Sequence, residues 1–212
     1  MGDGFDFRQD DSIYRPIVAF DFDGTLTVRD TLRAFLAWRA GSLRYLTGLA
    51  RLLPDLVRYL RDKDRGRLKA AALRQFLAGV SRGDFEDESR RFAEGQARAL
   101  LRPDALRAWR RWQSESARLV IVTACPEEIA APFARGLGAD ILIGTRLEYD
   151  DEGRLTGNLA GENCRGLEKV ERLKAEFGDD FRLEAAYGDT DGDREMLAMA
   201  EHPGFRVFED AP

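Results

Sequence analysis

The chain has 212 residues, of which 44% are hydrophobic, enough for one sizeable core or for a core that carries a smaller insert. Its net charge of −5 gives no reason to expect nucleic acid as a partner, and no run of about 18 apolar residues predicts a membrane span. The single histidine, His202, argues against a histidine zinc site and against a Ser-His-Asp triad. Cys125 and Cys164 lack the paired spacing of a metal site, and we expect two reduced thiols in a cytoplasmic protein.

The first segments are a polar leader and a strand that ends in acids. Residues 1–14 are polar and acidic with scattered glycine, which predicts a disordered leader without a secretion signal. Residues 17–20 are apolar and predict a buried strand, which runs into Asp21-Phe22-Asp23-Gly24-Thr25 with Gly24 supplying the turn. Two carboxylates two residues apart leave an extended strand on the same side, so Asp21 and Asp23 form a pair at its end.

Residues 31–101 are predicted to form a helical insert between the first strand and the rest of the sheet. Leucine and other apolar residues recur there at spacings of three and four, and Pro54 is expected to kink or divide one helix. Asp84 is expected to cap a further helix that runs toward Leu101. From residue 31 to residue 75 there are eleven lysines and arginines against three aspartates, so the segment is strongly basic and the remainder acidic.

The rest of the chain alternates strands with helices. Strands are predicted at residues 119–122, 139–147, 185–187 and 205–208, helices at 127 onward, 166–177 and 194–200, and a hairpin turn at 150–153 that leads into 154–159. This alternation predicts an α/β fold with a Rossmann-like parallel sheet and helices on both faces, completed by the inserted helical segment.

A second acidic cluster, Gly188-Asp189-Thr190-Asp191-Gly192-Asp193, also follows a predicted strand. Because ligands of open parallel sheets bind beyond the carboxyl ends of the strands, the two clusters are expected to meet there. They would repel each other without a cation between them, and a site of carboxylate oxygens suits Mg²⁺. A solvated Asp-Gly turn is the alternative interpretation of either cluster alone.

An anionic substrate would need cationic or N–H partners near these acids. Thr123 follows the 119–122 strand just before a helix, so its hydroxyl and the backbone N–H of Ala124 are candidates. Lys169 and Arg165 supply candidate cations at the 166–177 helix. Taken singly, a threonine at a helix start is usually a cap, and a helical lysine or a loop arginine is usually solvated.

The ordered set Asp21-x-Asp23-Gly-Thr, Thr123, Lys169 and Gly188-Asp189-x-x-x-Asp193 resembles the four motifs of the haloacid dehalogenase (HAD) superfamily. More narrowly, it is similar to subfamily IB, which includes phosphoserine phosphatase and carries a helical cap after the first motif. The segments at residues 144–148 and 163–169 resemble those of bacterial relatives of phosphatidylglycerophosphatase C. The resemblance implies a catalytic core at 15–30 and 102–212 and a helical cap domain at 31–101.

The resemblance also implies a phosphomonoester hydrolase and a role for each motif residue. Asp21 would attack phosphorus and form an aspartyl phosphate, and Asp23 would serve as general acid and then general base. Mg²⁺ would be held by Asp21, by the backbone carbonyl of Asp23 and by Asp189, with Gly24 and Asp193 in support. The residues implied for phosphate or substrate binding are Thr123, Ala124, Lys169 and Arg165.

Substrate and location remain open at this level. Thr27-Val28-Arg29-Asp30 stands where phosphoserine phosphatases usually carry acids for the substrate's amino group. The alternatives are therefore a lipid phosphate such as phosphatidylglycerol phosphate, phosphoserine or another small phosphometabolite, and transfer to an alcohol. A non-catalytic phospholigand module is a further alternative. The basic helices fit either a solvated cap or a peripheral contact of a cytoplasmic protein with the anionic inner membrane face.

Overall fold

A computed structural model describes residues 15–212, so the predicted leader at residues 1–14 lies outside the described part. The main sheet consists of β1 (Ile17–Phe20), β2 (Arg118–Pro126), β3 (Ile141–Thr145), β6 (Leu183–Gly188) and β7 (Ala200–Phe205). It is parallel throughout and has the strand order β3-β2-β1-β6-β7. A two-stranded antiparallel hairpin, β4 (Leu147–Tyr149) and β5 (Leu155–Leu159), stands apart from it.

Strand β1 lies at the centre of the sheet, and its register places three strand ends at one edge. Phe20 is opposite Ile121 of β2 on one side and opposite Tyr187 of β6 on the other. The backbone N–H of Asp21 continues the pairing by donating to the carbonyl of Tyr187 at 2.8 Å. The residues that follow β1 and β6 therefore meet the last part of β2 at the carboxyl edge of the sheet.

Apolar side chains cover both faces of the sheet. Val18 and Phe20 point into a large core that includes Trp109 and Phe133, whereas Ala19 points into a second core on the opposite face. The second core is completed by helices α8 (Leu167–Phe177) and α9 (Arg194–Leu197), and the first by α6 (Pro103–Ser114) and α7 (Glu127–Leu137). This alternation is the strand period of two, and the predicted parallel sheet with helices on both faces is confirmed.

Six helices lie between β1 and β2, and the five that precede α6 are α1 (Thr31–Ala40), α2 (Ser42–Arg51), α3 (Leu53–Asp62), α4 (Arg65–Leu77) and α5 (Arg82–Leu100). The break between α2 and α3 falls at Leu52, and Pro54 occupies the first turn of α3, where a missing N–H costs nothing. The prediction that Asp84 caps α5 is wrong, since Ser81 caps this helix with its hydroxyl and Asp84 lies in the first turn. No helix within residues 15–212 is both long enough and apolar enough to cross a bilayer.

Several predicted boundaries differ from the structure. The strand predicted at 119–122 runs on to Pro126, and the one predicted at 139–147 is divided into β3 and β4. The helix predicted at 194–200 ends at Leu197, and a short 3₁₀ turn at Asp191–Asp193 precedes it. The last strand was predicted at 205–208 but occupies Ala200–Phe205. It contains Pro203 and exposed polar residues, which an edge strand tolerates but which conceal its pattern.

Candidate active site

The turn after β1 places Asp21 against the loop after β6. Asp21 is almost completely buried, and its Oδ2 lies 3.3 Å from the hydroxyl of Thr25, which also lies 3.5 Å from Asp189 Oδ1. Gly24 turns the chain with φ of +86°, and a Cβ at this position would lie 2.3 Å from Asp189 Oδ2. Only glycine fits both the dihedral angle and the contact, so the turn and the Asp189 loop are matched to each other.

Lys169 lies in the first turn of α8 and is buried among the strand ends. Its ammonium group donates to Asp21 Oδ1 at 2.6 Å, to Asp193 Oδ1 at 2.7 Å and to the carbonyl of Val122 at 2.6 Å. All three donors of the ammonium group are thereby used, and the lysine joins β2 to the segments that follow β1 and β6.

Asp193 is fixed from several sides, whereas Asp189 is less constrained. Asp193 Oδ2 accepts from the backbone N–H of Asp189 and Thr190 and from the Thr190 hydroxyl, at 3.2, 2.8 and 2.9 Å. Asp21, Asp189 and Asp193 each have a carboxylate oxygen within 4.8 Å of the other two. Three carboxylates and one ammonium, which contacts Asp21 and Asp193, leave an excess of negative charge at this edge of the sheet.

The electrostatics of these residues reflect that crowding. Burial raises the pKa of Asp21 to about 6 although Lys169 opposes the shift, and burial together with the charge of Asp193 raises the pKa of Asp189. Burial alone would lower the pKa of Lys169, but the carboxylates of Asp21 and Asp193 raise it above its ordinary value. The pKa of Asp193 is lowered, because its contacts with Lys169 outweigh burial.

Asp23 faces away from Lys169 toward the start of α1. Its Oδ1 accepts from the backbone N–H of Thr31 at 2.8 Å, and the side chain is half-buried. Burial and the nearby charge of Asp30 raise the pKa of Asp23 to about 7. A carboxyl group with this pKa can give and take a proton near neutral pH.

Thr123 and Ala124 lie in the last part of β2, next to the Lys169 site. The Thr123 side chain is fully buried, and its hydroxyl accepts from the backbone N–H of Cys125 at 2.9 Å. The carbonyl of Ala124 accepts from the Thr145 hydroxyl at 2.8 Å. Cys125 is buried, which raises the pKa of its thiol well above the ordinary value and disfavours the thiolate.

Arg165 reaches the acidic cluster through Thr190. It precedes α8, and its guanidinium donates to the Thr190 hydroxyl at 3.1 Å. Thr190 in turn donates to Asp193. Arg165 thus stabilises the loop that carries Asp189, and it also lines a cleft between α3, α4 and the start of α8.

Sequence reasoning missed Lys69, which α4 places at the site from the opposite side. Its ammonium group donates to the carbonyl of Ala124 and to Asn163 Oδ1, which also accepts from Thr145. Lys69 makes no ion pair with a carboxylate of residues 15–212, and burial lowers its pKa. Only its place among many basic residues was visible in the sequence, and nothing there distinguished it.

Comparisons with known proteins agree with this arrangement. The family model for haloacid dehalogenase-like hydrolases matches residues 18–198. Protein CicA of Caulobacter vibrioides is 58% identical over 196 residues, which cover 92% of this chain and 88% of that protein.

Solved structures show the same fold. A protein of unknown function from Bordetella pertussis Tohama I has a TM-score of 0.74 and 26% identity, covering 89% of this chain and 88% of that one. A phospho-aspartyl intermediate analogue of phosphoserine phosphatase has a TM-score of 0.57 and 21% identity, covering 89% of this chain and 85% of that one. The predicted membership of the HAD superfamily is confirmed: the chain belongs to the haloacid dehalogenase-like hydrolases.

Proposed function

We propose that this hydrolase is a Mg²⁺-dependent phosphomonoester phosphatase that works through an aspartyl-phosphate intermediate on Asp21. The observation that carries the proposal is the cluster of Asp21, Asp189 and Asp193, whose carboxylate oxygens lie within 4.8 Å of one another. The ammonium of Lys169 contacts two of these carboxylates, those of Asp21 and Asp193. The fold shared with phosphoserine phosphatase and the subfamily IB resemblance of the motifs support the same reaction class.

Asp21 acts as the nucleophile in this proposal. Its carboxylate attacks phosphorus, an O–P bond to Asp21 forms, and the bond from phosphorus to the leaving alcohol oxygen breaks. Water then attacks the phosphorus of the aspartyl phosphate, which frees Asp21 and releases inorganic phosphate. Lys169 and Thr123 stabilise the charge on the phosphoryl oxygens, assisted by the backbone N–H of Ala124.

Asp23 moves the protons of both half-reactions. It gives a proton to the leaving alcohol oxygen and later takes one from the attacking water, which returns the enzyme to its starting state. Its raised pKa, about 7, suits both roles because neither protonation state is costly near neutral pH. The hydrogen bond from the backbone N–H of Thr31 holds the carboxyl group in place.

The donor set fits Mg²⁺, since it consists of carboxylate and carbonyl oxygens and carries excess negative charge. Asp21, Asp189 and the backbone carbonyl of Asp23 would hold the ion, while Asp193 is engaged with Lys169 and supports the site. When bound, Mg²⁺ neutralises charge on the transferring phosphoryl group.

Turnover of p-nitrophenyl phosphate tests the reaction. Asp21→Asn should abolish hydrolysis while the circular dichroism spectrum and melting temperature stay near those of the wild type. The control Asp191→Asn changes an exposed acid that pairs with Arg194, and it should retain activity. Near-normal turnover by Asp21→Asn would refute the assigned nucleophile.

We further propose that residues 31–101 act as a cap over a core of residues 15–30 and 102–212, and that the substrate is a lipid phosphate such as phosphatidylglycerol phosphate. Lys69 supports the cap assignment, because it reaches from α4 to the end of β2. The basic charge of residues 31–75 supports an anionic substrate at a membrane, which the protein would contact peripherally.

Phosphoserine is the alternative substrate, and one contact argues against it. Asp30, the acid that follows the first motif, accepts from the backbone N–H of Arg33 and caps α1. A screen of phosphoserine, sugar phosphates, nucleotides and phosphatidylglycerol phosphate separates these substrates by kcat/KM. A preference for a soluble phosphoester above the lipid would exclude the lipid assignment, and transfer to an added alcohol above transfer to water would indicate a phosphotransferase.

A further inference from the structure

Helices α2 and α3 present an apolar face to solvent. Between Ser42 and Asp62 only Gly48 and Leu52 are buried, so the two helices contribute little to the core of the protein. Seven large apolar side chains on them are between 41% and 77% exposed, and together they form what we call the docking face: Leu43, Leu46, Leu49, Leu53, Leu56, Val57 and Leu60. Contiguous exposure on this scale marks an interaction surface.

Arginine side chains accompany the docking face. Arg44, Arg51 and Arg61 are exposed and form no ion pair with any carboxylate of residues 15–212, whereas Arg58 pairs with Asp55. Leucines and unpaired arginines on the same helices are typical of a segment that lies in the plane of an anionic membrane surface, with apolar side chains among the acyl chains and cations at the headgroups.

The charge distribution of the chain favours an anionic bilayer over a second copy of the protein. Two copies meeting through this face would bring together two segments that each carry eleven lysines and arginines against three aspartates. An anionic surface instead attracts this segment and repels the acidic remainder of the chain, which orients the protein with α2 and α3 toward the lipid.

The docking face is adjacent to the candidate active site. Lys63, which caps the end of α3, lines a polar cleft of about 470 Å³ together with Arg65, Asn163 and Arg165. Asn163 in turn contacts Lys69 and Thr145 at the end of β2. A phosphorylated headgroup at the membrane surface would therefore meet cationic side chains between the bilayer and the catalytic acids.

We infer that the docking face of α2 and α3 inserts into the headgroup region of an anionic membrane and holds the cleft at the lipid surface. The inference rests on the proposed function, because membrane binding would serve to supply a lipid phosphate. The binding itself can be measured without turnover. Membrane insertion of this kind is reversible and depends on both the apolar side chains and the arginines.

Vesicle flotation of the full chain tests the inference. The wild type should float with vesicles of phosphatidylcholine and phosphatidylglycerol at low salt, much less at high salt, and little with phosphatidylcholine alone. The double variant Leu46→Glu, Leu53→Glu should lower partitioning about tenfold or more, because charge replaces apolar contact. Its matched control, Leu167→Glu, changes an equally exposed leucine at the start of α8 and should float like the wild type.

A charge variant separates the two components of binding. Arg44→Gln, Arg51→Gln, Arg61→Gln should reduce flotation with anionic vesicles about tenfold or more and remove most of its salt dependence. Both sets of variants should still hydrolyse p-nitrophenyl phosphate, because every substituted side chain is exposed on α2 or α3.

Three outcomes would overturn the inference. The first is a wild type that hydrolyses p-nitrophenyl phosphate but does not float, which leaves the proposed phosphatase standing. The second is flotation that the leucine variants leave unchanged. The third is a dimer in analytical ultracentrifugation that Leu46→Glu, Leu53→Glu dissolves, since the face would then pair two copies. Conversely, flotation without any hydrolysis would support the docking face and refute only the proposed function.

Discussion

Lys169 and Asp21 are 148 positions apart in the sequence, yet the ammonium nitrogen lies 2.6 Å from Asp21 Oδ1. The same ammonium group contacts Asp193, so one buried cation is shared by two buried carboxylates. The proposed nucleophile is therefore held by a residue from another motif, and the geometry of the two motifs cannot vary independently.

Removing this cation should damage both stability and activity. Lys169→Met leaves Asp21 and Asp193 buried without a counter-ion, which is expected to cost about 3–5 kcal/mol of unfolding free energy at neutral pH. Activity on p-nitrophenyl phosphate should fall by about a hundredfold or more. The control Lys174→Met removes a cation from an exposed pair with Glu171 on the same helix and should have little effect on either property.

The free energy of unfolding that Lys169→Met loses should be larger at neutral pH than at acidic pH. The pKa of Asp193 is lowered in the folded protein, so Asp193 contributes stability above its unfolded pKa and loses it as pH falls through the folded one. Without Lys169 the carboxylates of Asp21 and Asp193 repel each other, which favours their protonated forms. Urea unfolding should therefore give a smaller difference between wild type and Lys169→Met at about pH 5 than at about pH 7. An equal difference in unfolding free energy at both pH values would contradict the interpretation that Asp21 and Asp193 share the cation of Lys169.

Gly24→Ala should disturb the turn that faces Asp189. The positive φ alone is expected to cost about 1–2 kcal/mol, and the new Cβ would also clash with the Asp189 carboxylate. Gly79→Ala is a matched control, because its φ is +81° and nothing lies within 4 Å of the added carbon. Both variants should lose unfolding free energy, but only Gly24→Ala should also lose Mg²⁺ affinity and turnover. Equal activities of the two variants would show that the close contact between residue 24 and Asp189 does not matter for turnover.

Much of the site could be predicted because a parallel sheet brings its strand ends together. Asp21 and Asp189 directly follow apolar strands, and Thr123 lies in the last part of another, so the sheet order alone brings these segments to one edge. Lys69 could not be predicted in this way. Its position depends on how α4 packs against the end of β2, and several other basic residues of the same segment face solvent.

The errors in element boundaries have local physical causes. Ser81 and Asp84 both suit a helix start, and the choice between them depends on the backbone at residue 81, which is extended. Strand β7 lies at the sheet edge and pairs only with β6, so its exposed residues carry no apolar alternation. Sequence patterns indicate burial, and where an element is hardly buried they indicate little.

The pH profile of kcat/KM should be bell-shaped. The proposed first step needs Asp21 ionised, with a pKa raised to about 6 by burial, and Asp23 protonated, with a pKa of about 7. Activity should therefore rise through the first value and fall through the second, and bound Mg²⁺ should move the rising limb to lower pH because it favours ionised Asp21.

Asp30→Asn provides a specific check of the falling limb. The charge of Asp30 helps to raise the pKa of Asp23, so its removal should move that limb to lower pH. Asparagine still caps α1, which keeps the helix start intact. Asp55→Asn, a change of an acid on α3, should leave the profile unmoved. A falling limb that does not respond to Asp30→Asn would show that a group other than Asp23 controls it.

Lys69→Met should raise KM more than it lowers kcat. The ammonium of Lys69 has only neutral oxygen partners among the described residues, and burial lowers its pKa, so a bound anion would be a better partner than those it has. Loss of one charged hydrogen bond to the substrate corresponds to about a tenfold rise in KM. Lys69→Arg should recover part of it. Loss of thermal stability with an unchanged KM would instead indicate that Lys69 only ties α4 to β2.

Asp189→Asn should make the metal-free protein more stable while abolishing its response to Mg²⁺. The pKa of Asp189 is raised by burial and by Asp193, so the ionised carboxylate destabilises the folded state above its unfolded pKa. A neutral amide removes that cost, and the melting temperature without metal should rise by about 2–4 °C for each kcal/mol gained.

Mg²⁺ titrations monitored by differential scanning calorimetry complete the test. The ion should raise the melting temperature of the wild type, because it binds the folded state alone, and it should leave Asp189→Asn nearly unchanged. Asp191→Asn serves as the control, since Asp191 is exposed and pairs with Arg194, and it should respond to Mg²⁺ like the wild type. If Asp189→Asn were destabilised without metal, the acids would not be crowded at neutral pH. If Mg²⁺ stabilised it as much as the wild type, Asp189 would not hold the ion, because the remaining acids would then suffice.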